Sequence, residues 1–337
     1  MLKNPLKMKR LDHLTEKIAD PDNLRLAFWK ARKGKTYSAE VERFRQHLDD
    51  NLLRLRAQIL NGEVSVGKYR FFKIYDPKER QICAPAFDEQ VLHHALMNVC
   101  HDRFEKAQIS DSYASRPGKG THTALRRASA FTKRYKWYLK VDVQKFFDTI
   151  HHDTVKRQLQ RLFKDERLQL IFHQIIDSYA ASPGRGVPIG NLTSQYFANH
   201  FLSALDHFIK RKLGARAYVR YMDDLVVWSD DLGFLKEAHL QNAQFLKENL
   251  FCLLKASTPN RCAAGITFLG YRVFPKFTML SQRGKLRFSA KSRRVAERYH
   301  RGDWGEKESQ WHLQALTAFT MHADARKFRS QVFSTCF

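Results

Sequence analysis

The segment YVRYMDDLVVW, residues 218–228, is the most informative stretch of this 337-residue chain. It consists of two runs of aromatic and branched residues, which favour β-strands, on either side of Asp223 and Asp224. Aspartate tolerates the backbone conformations of a tight turn, so the pattern predicts a β-hairpin with both carboxylates at its tip. Taken alone, such a pair is more often a solvated turn than a functional site.

A second strand pattern carries another aspartate close to its end. Residues 137–143 (WYLKVDV) alternate between two faces, which predicts a strand with one buried face, and Asp142 is its last polar residue. If this strand neighbours the Asp223-Asp224 hairpin, three carboxylates meet at one edge of a sheet. Carboxylates crowded together repel each other and call for cations, and Mg²⁺ favours oxygen ligands. Two such ions could clamp the attacking and leaving oxygens of a phosphoryl transfer.

The rest of the chain alternates helical and strand-like segments. Apolar spacing over residues 48–59 predicts a helix that stops at Gly62. A hairpin is predicted around an Asp76-Pro77 turn, followed by a helix over 88–107. A mostly helical stretch separates the two strand segments that carry the aspartates. Helices mixed with antiparallel strands predict an α+β fold.

The charge of the chain indicates a polyanionic partner. Lys and Arg number 59 against 34 Asp and Glu, which gives a formal net charge of +25. A surface this basic repels itself, and an anionic partner relieves that repulsion, so nucleic acid is favoured ahead of an anionic membrane. With 43% hydrophobic residues, 25 of them Phe, the chain can bury a sizeable core and is not expected to be disordered.

Several classes of protein are disfavoured by the sequence. It contains no window of 18 uninterrupted apolar residues, and its basic start lacks the apolar region of a secretory signal, so no membrane association is expected. The five cysteines are odd in number and never spaced Cys-x-x-Cys, which argues against a disulfide framework or a zinc site. Reduced thiols of this kind are typical of a cytoplasmic protein.

The residues around the aspartates resemble the catalytic blocks of reverse transcriptases. YMDD between two β-runs resembles the catalytic hairpin of that family. KVDVQKFFDTI (140–150) resembles its first metal-binding motif, with Asp142 as the metal ligand and Phe147 at the place of the aromatic steric gate that excludes a ribose 2′-hydroxyl. The resemblance further implies that the main-chain carbonyl of Val143 is a metal ligand.

Other blocks follow in the family's order. GVPIGNLTSQYFANHFLSALD (186–206) resembles the motif in which a loop opens a helix beneath the nascent base pair, and SYASRPGKGTHTAL (112–125) resembles a fingers block. The remaining resemblances assign dNTP contacts to Arg80, Phe147, Ile189, Gly190 and Gln195, the pyrophosphate-assisting lysine to Lys255, and the primer grip to Phe268, Leu269, Gly270 and Tyr271. The ordered set covers residues 69–271.

This resemblance implies a right-hand polymerase architecture. Residues 1–68 would form an N-terminal helical extension, 69–271 the fingers and a palm with a central antiparallel sheet, and 272–337 a small helical thumb. The last segment has 14 Lys and Arg against 5 Asp and Glu, a net charge of 14 − 5 = +9, which suits a duplex grip. We expect it to hold a small thumb but no RNase H or integrase domain. The implied cofactors are two Mg²⁺ ions, with Mn²⁺ as a substitute.

The block IGNLTSQ narrows the resemblance within the family. Retron and group II intron enzymes usually carry Gln at the position of Ile189, and they end the motif in Ser-Pro where this chain has Ser194-Gln195. The combination resembles the reverse transcriptases of diversity-generating retroelements of bacteria and phages. It implies that a template-repeat RNA is copied into adenine-mutagenised cDNA that diversifies a target gene. It also implies a small basic accessory protein that joins the enzyme and the RNA.

Two alternatives remain open at this stage. An antiphage-defence or otherwise uncharacterised bacterial reverse transcriptase can share this short form, and genomic context would decide between the two. A non-catalytic RNA-binding scaffold could keep the fold without the reaction. The intact Asp142, Asp223 and Asp224 argue against the scaffold, because a site that no longer catalyses a reaction has no physical need for clustered carboxylates.

Overall fold

The computed structural model describes residues 10–35, 38–75 and 79–337. Its strands are β1 (Tyr69–Tyr75), β2 (Glu79–Pro85), β3 (Trp137–Asp142), β4 (Ala217–Tyr221), β5 (Asp224–Ser229), β6 (Asn260–Arg261), β7 (Ile266–Phe268), β8 (Tyr271–Val273) and β9 (Thr278–Leu280). Its α-helices are α1 (Thr15–Ile18), α2 (Pro21–Arg32), α3 (Ala39–Gln46), α4 (Leu48–Asn61), α5 (Phe87–Ala107), α6 (Thr121–Arg134), α7 (Phe146–Thr149), α8 (His152–Gln160), α9 (Glu166–Asp177), α10 (Leu192–Arg211), α11 (Leu232–Phe245), α12 (Gln282–His300), α13 (Glu306–Thr320) and α14 (Arg326–Cys336). Short π- and 3₁₀-helical turns cover Leu246–Leu250 and Cys262–Ala264.

A four-stranded antiparallel sheet in the order β4-β5-β3-β6 forms the centre of the molecule. β4 and β5 form the predicted hairpin, and β3 is the neighbour of β5, so the expected strand adjacency is confirmed. The register sets Asp142 directly opposite Asp224. The fold is α+β with a central antiparallel sheet, as the sequence predicts.

The apolar residues that alternate along β3 all lie on one face of the sheet. Leu139, Val141 and Val143 are at most 2% exposed and belong to a cluster that includes apolar residues of α5, α9 and α10. The opposite face of the sheet packs on α6, where the rings of Trp228 and Phe131 lie 5.4 Å apart. Both faces of the sheet are therefore covered along most of their length, and the polar residues lie at the ends of the strands.

The helices before the first hairpin pack onto the same core as strand β3 of the central sheet. α4 ends at Gly62, which has the left-handed φ of 73° that favours glycine, so the predicted helix stop is confirmed. Gln174 of α9 accepts from the main-chain N–H of Val64 at 2.9 Å and donates to the Gly62 carbonyl at 2.7 Å. The helical segment is thereby tied to the sheet domain instead of standing apart from it.

The hairpin formed by β1 and β2 is the exposed part of the fold. Its seven-residue register runs from Tyr69 opposite Pro85 to Tyr75 opposite Glu79, as the sequence predicts. The Asp76-Pro77 turn lies outside the described residues. Most side chains of β1 are exposed.

A three-stranded antiparallel sheet, β7-β8-β9, leads into the helices α12, α13 and α14. The boundary predicted between residues 271 and 272 falls inside β8, which pairs with β7 on one side and β9 on the other. The small sheet therefore lies between the central sheet and the C-terminal helices along the chain. No helix in the described part of the chain is both long enough and apolar enough to cross a bilayer.

The block at 112–125, which resembles a fingers block, lies against the central sheet. Its first residues run beside the edge strand β4: Arg220 donates its main-chain N–H to the Asp111 carbonyl at 2.9 Å, and Tyr113 donates to the Arg220 carbonyl at 3.0 Å. An edge strand leaves its main-chain groups unpaired, and this segment satisfies them. The following helix, α6, then covers the sheet face.

Candidate active site

The turn between β4 and β5 carries Asp223 on a strained backbone. Tyr221 pairs with Asp224, so Met222 and Asp223 are the two turn residues. Met222 has a φ of 52°, a left-handed backbone conformation that residues other than Gly and Asn seldom adopt. Strain of this kind persists only where neighbouring contacts enforce it.

Arg220 supplies such a contact. The Arg220 side chain is fully buried, and its Nη1 donates to the Met222 carbonyl at 3.2 Å. The same guanidinium binds both carboxylate oxygens of Asp206 on α10, through Nε at 2.7 Å and Nη2 at 2.6 Å. Tyr218 also donates to Asp206 at 2.7 Å. This network fixes the Met222-Asp223 turn to α10.

Each strand-borne aspartate is paired with a lysine. Lys255 donates to Asp142 Oδ1 at 2.7 Å, and its main-chain N–H also donates to the Asp142 carbonyl at 2.9 Å. The Lys140 ammonium lies 3.1 Å from Asp224 Oδ1 and forms an ion-pair contact with it, and this buried oxygen has no hydrogen-bond partner among the described residues. The two lysines partly neutralise the site.

Burial shifts the acidity of the turn carboxylates. It raises the pKa of Asp224 to about 6, against the opposing attraction of the Lys140 charge. It also raises the pKa of Asp223, and the negative charge of Asp142 adds to that shift. Both shifts show that the pocket disfavours negative charge in the absence of a further cation.

The expected convergence of three carboxylates is only partly realised. Asp142, Asp223 and Asp224 share one end of the sheet, but within residues 10–35, 38–75 and 79–337 no three His, Cys, Asp or Glu side chains form a ready metal cluster. Lys255 lies against the Asp142 carboxylate, and Lys140 lies against the Asp224 carboxylate. The residues still fit Mg²⁺, because the donors are oxygens and one buried carboxylate oxygen has no hydrogen-bond partner. Asp142 and Asp223 would hold the ions, with Asp224 and the Val143 carbonyl beside them.

The residues expected to contact the incoming nucleotide lie around this end of the sheet. Arg80 on β2 is close enough for its positive charge to lower the pKa of Asp223, against the larger effect of burial. Phe147 on α7 follows Asp142 by five residues and is half-buried, and its carbonyl accepts from the Val187 N–H at 2.9 Å. Strand β2 therefore brings a positive charge near Asp223, and the segment after β3 brings an aromatic ring close in sequence to Asp142.

The loop before α10 docks onto the fingers hairpin. The Ile189 carbonyl accepts from the Cys83 N–H at 2.8 Å. Gly190 has a φ of 133°, and a Cβ at this position would lie 2.5 Å from the Cys83 carbonyl, so only glycine permits the contact. Gln195, one turn into α10, accepts from the Ser115 hydroxyl at 2.9 Å. These residues connect β2, α10 and the segment beside β4.

The β7–β8 turn forms the predicted hairpin of FLGY. Phe268 pairs with Tyr271, and both central residues have positive φ, 51° at Leu269 and 88° at Gly270, as in a type I′ turn. Phe268 and Tyr271 are fully buried, so the tip at Leu269 and Gly270 is the part available for contact. Tyr271 donates to the Phe319 carbonyl at 2.6 Å, which ties the hairpin to α13.

A family comparison identifies this arrangement. The model of the family described as "Reverse transcriptase (RNA-dependent DNA polymerase)" matches residues 75–273, more than half of the chain. The chain belongs to this family. The matched range contains Arg80, Asp142, the Asp223-Asp224 turn and the FLGY hairpin, so the blocks read from the sequence lie within the reverse transcriptase region.

Named relatives share only part of their length with this reverse transcriptase. Protein YkfC of Escherichia coli K12 is 25% identical over 184 residues, 49% of this chain and 48% of that protein. Nuclear intron maturase 1 of Arabidopsis thaliana mitochondria is 29% identical over 109 residues, 32% and 15% of the two chains. Among solved structures, a Candida albicans telomerase in complex with a telomeric RNA fragment has a TM-score of 0.49 at 11% identity, covering 67% and 50%. The chain spans about half, or less, of the length of these relatives.

Sequence reasoning missed two positively charged residues of the site. Lys140 lies two residues before Asp142, and the period of a strand puts both side chains on one face, so this residue could have been found from the alternation. Arg220 immediately precedes the YMDD turn, but its partner Asp206 lies on another element. That pairing is not local, and no sequence spacing indicates it.

Proposed function

We propose that this reverse transcriptase catalyses RNA-templated DNA synthesis by two-metal nucleotidyl transfer. The observation that carries the proposal is the register of the central sheet, which brings Asp142 beside the strained turn that holds Asp223. The substrates would be dNTPs and an RNA template paired with a growing DNA strand. The surrounding lysines and Arg80 suit the phosphates of such substrates.

The residues divide the work of the reaction. Asp142 and Asp223 would hold Mg²⁺, which when bound stabilises the charge that develops on the transferring phosphoryl group. Arg80 holds the triphosphate from the fingers, and the Phe147 ring excludes a ribose 2′-hydroxyl. Lys255, whose ammonium lies 2.7 Å from Asp142, assists the departing pyrophosphate by charge and by proton donation. The Leu269-Gly270 tip supports the primer end.

Loss of Asp223 distinguishes this polymerase from a non-catalytic RNA-binding scaffold. We expect Asp223→Ala to lower Mg²⁺-dependent dNTP incorporation on an RNA template–DNA primer by more than about 100-fold, the scale on which losing one charge-stabilising group slows an enzyme. Asp49→Ala, at an exposed carboxylate on α4, serves as the control. Equal incorporation by the wild type and Asp223→Ala would refute the assignment and favour the scaffold.

We further infer that the enzyme belongs to a diversity-generating retroelement and makes adenine-mutagenised cDNA. Support comes from Ile189, which lies in the loop that meets the fingers strand and has an apolar side chain that cannot hydrogen-bond to a base pair. A Gln at this position could enforce pair geometry through a polar contact. The template would be the repeat RNA, and a small basic accessory protein would help to recruit it.

The error spectrum of the product tests this finer proposal. We expect Ile189→Gln to lower misincorporation opposite template adenines in primer extension, while errors opposite the other three bases change little. Leu240→Gln, at an exposed leucine on α11, is the matched control. An unchanged spectrum in Ile189→Gln would contradict the role of Ile189 in mutagenesis.

The rival function is that of another bacterial reverse transcriptase, for antiphage defence or another role. The names of relatives such as nuclear intron maturase 1 add intron maturation to these rivals. Genomic context separates the candidates. A pair of imperfect repeats that differ mainly at template adenines would support mutagenic copying, and their absence would favour a rival.

A further inference from the structure

Lys140 stands between the catalytic hairpin and the primer-grip hairpin. Its ammonium donates to the Thr267 carbonyl of β7 at 2.8 Å and lies 3.1 Å from the Asp224 carboxylate of β5. These two partners belong to different sheets, and β7 is the strand that leads into the Leu269-Gly270 tip. One charged group therefore contacts both the carboxylate end of the palm and the support for the primer.

The backbone fixes Lys140 in this place. Asp142 and Asp224 are directly opposite each other in the sheet, and Lys140 precedes Asp142 by two residues on the same face. It is therefore the diagonal neighbour of Asp224, within reach of a long side chain. Its side chain keeps 31% of its exposure, and the Phe268 ring lies 6.0 Å from the ammonium. The lysine stem thus fills the seam between the two sheets.

We propose that Lys140 is a positioning residue that sets the distance between the primer 3′ end and the catalytic carboxylates. The inference rests on the proposed polymerase function and deepens it. A lysine carries three donors and a positive charge, so one ammonium donates to the Thr267 carbonyl and at the same time attracts the Asp224 carboxylate through an ion-pair contact. A purely apolar side chain could fill the seam but could not hold the two hairpins in register.

Lys140 and Lys255 then have different roles in the reaction. Lys255 contacts Asp142 through both its ammonium and its main-chain N–H, at the side where pyrophosphate would leave. Lys140 contacts Asp224 and Thr267, which lies on the strand that leads into the Leu269-Gly270 tip. Loss of Lys140 should therefore affect how the primer end is used, and loss of Lys255 how the nucleotide is used.

The test compares matched and mismatched primer ends. Lys140→Met keeps the length of the stem and removes the charge, and Lys140→Arg restores a charged donor. We expect Lys140→Met to lower kcat for a matched primer roughly tenfold, as is typical when a partner of a ligating carboxylate is removed. The KM for dNTP should stay within about twofold, and the preference for matched over mismatched ends should fall by a similar factor to kcat. Lys140→Arg should recover most of that preference.

Two controls distinguish a general structural effect of Lys140→Met from an effect on the position of the primer end. Lys156→Met removes a lysine that pairs with Asp177 between α8 and α9, and it should leave the matched-to-mismatched ratio unchanged. In a double-mutant cycle, Leu269→Gly at the primer-grip tip should be non-additive with Lys140→Met, because both changes act on the same hairpin.

The outcomes separate this inference from the proposed function. If the wild type incorporates no dNTP, the proposed function fails. If the wild type is active and Lys140→Met keeps both the wild-type kcat and the wild-type ratio, the positioning role is wrong. A raised KM for dNTP with an unchanged ratio, or strict additivity with Leu269→Gly, would equally overturn it.

Discussion

Met222 gives Asp223 its position at the cost of an unfavourable backbone conformation. The turn adopts a φ of 52° at a residue with a long side chain, and the Arg220 guanidinium holds the Met222 carbonyl in that conformation. Outliers of this kind are concentrated at functional sites, where the surrounding structure enforces them. The turn that carries Asp223 is therefore held in place by a neighbouring side chain.

Burial of His200 on α10 predicts a pH dependence of stability. It lowers the pKa of His200 from 6.5 to about 4, so between these values the unfolded chain binds more protons than the folded one. The stabilising contribution is fully present above pH 6.5 and is lost as the pH falls through about 4, a loss of about 3 kcal/mol for the full shift. Denaturant unfolding of the wild type between pH 7 and 4.5 should show it.

His200→Gln should flatten this dependence, because the variant has no imidazole to charge. The exposed His300→Gln serves as the control and should keep the wild-type slope. Identical slopes for the wild type and His200→Gln would contradict the assignment of the effect to burial of this imidazole.

At the scale of elements, the Arg220–Asp206 pair joins the catalytic hairpin to α10. Both side chains are fully buried, and removing one of them leaves the other charge without its partner in an apolar environment. We expect Asp206→Ala to lower the free energy of unfolding by about 3–5 kcal/mol, the usual cost of breaking a buried pair. Asp49→Ala, at an exposed pair with Arg25, should leave the melting temperature unchanged. Similar melting temperatures for the two variants would contradict the role of the buried pair.

Local elements could be predicted from the sequence because their signals are local. Alternation identified β3, the Asp-containing turn identified the β4–β5 hairpin, and Gly62 identified the end of α4. Each of these rests on residues within one strand, one turn or one helix. The approach of Asp142 to Asp224 followed once two such strands were assumed to be neighbours.

The parts that the sequence did not predict depend on distant segments. The placement of residues 111–113 beside β4 depends on an unpaired strand edge about 100 residues away. The pairing of Lys140 with Asp224 depends on the register of two strands. The local spacing of residues in the sequence indicates neither the unpaired edge nor the register. The metal site of Asp142, Asp223 and Asp224 stays a prediction, and the structure adds the two lysines that lie against these carboxylates.

For the whole molecule, the excess positive charge predicts strongly salt-dependent binding of template–primer duplexes. Helix α12 carries seven Lys and Arg against one Glu, and Arg283 and Arg294 are exposed on it. Each phosphate contact contributes a slope of about 0.9 to the fall of log K with log salt. We expect the double variant Arg283→Ala/Arg294→Ala to lower that slope by about 2, measured by fluorescence anisotropy over a salt series.

The control is the exposed Lys236→Ala on α11, which should leave the slope unchanged. If the double variant kept the wild-type slope, α12 would not be part of the duplex grip, and the thumb assignment of this helix would be wrong.

The most direct test of the polymerase assignment is the rate of a single nucleotide addition. Asp142→Asn keeps the size of the side chain and removes the charge that Mg²⁺ requires, and Asp49→Asn is the matched control. Single-turnover incorporation of one dNTP opposite an RNA template base should be slowed more than about 100-fold by Asp142→Asn and left unchanged by Asp49→Asn. Wild-type rates in Asp142→Asn would contradict the assignment of this carboxylate to catalysis.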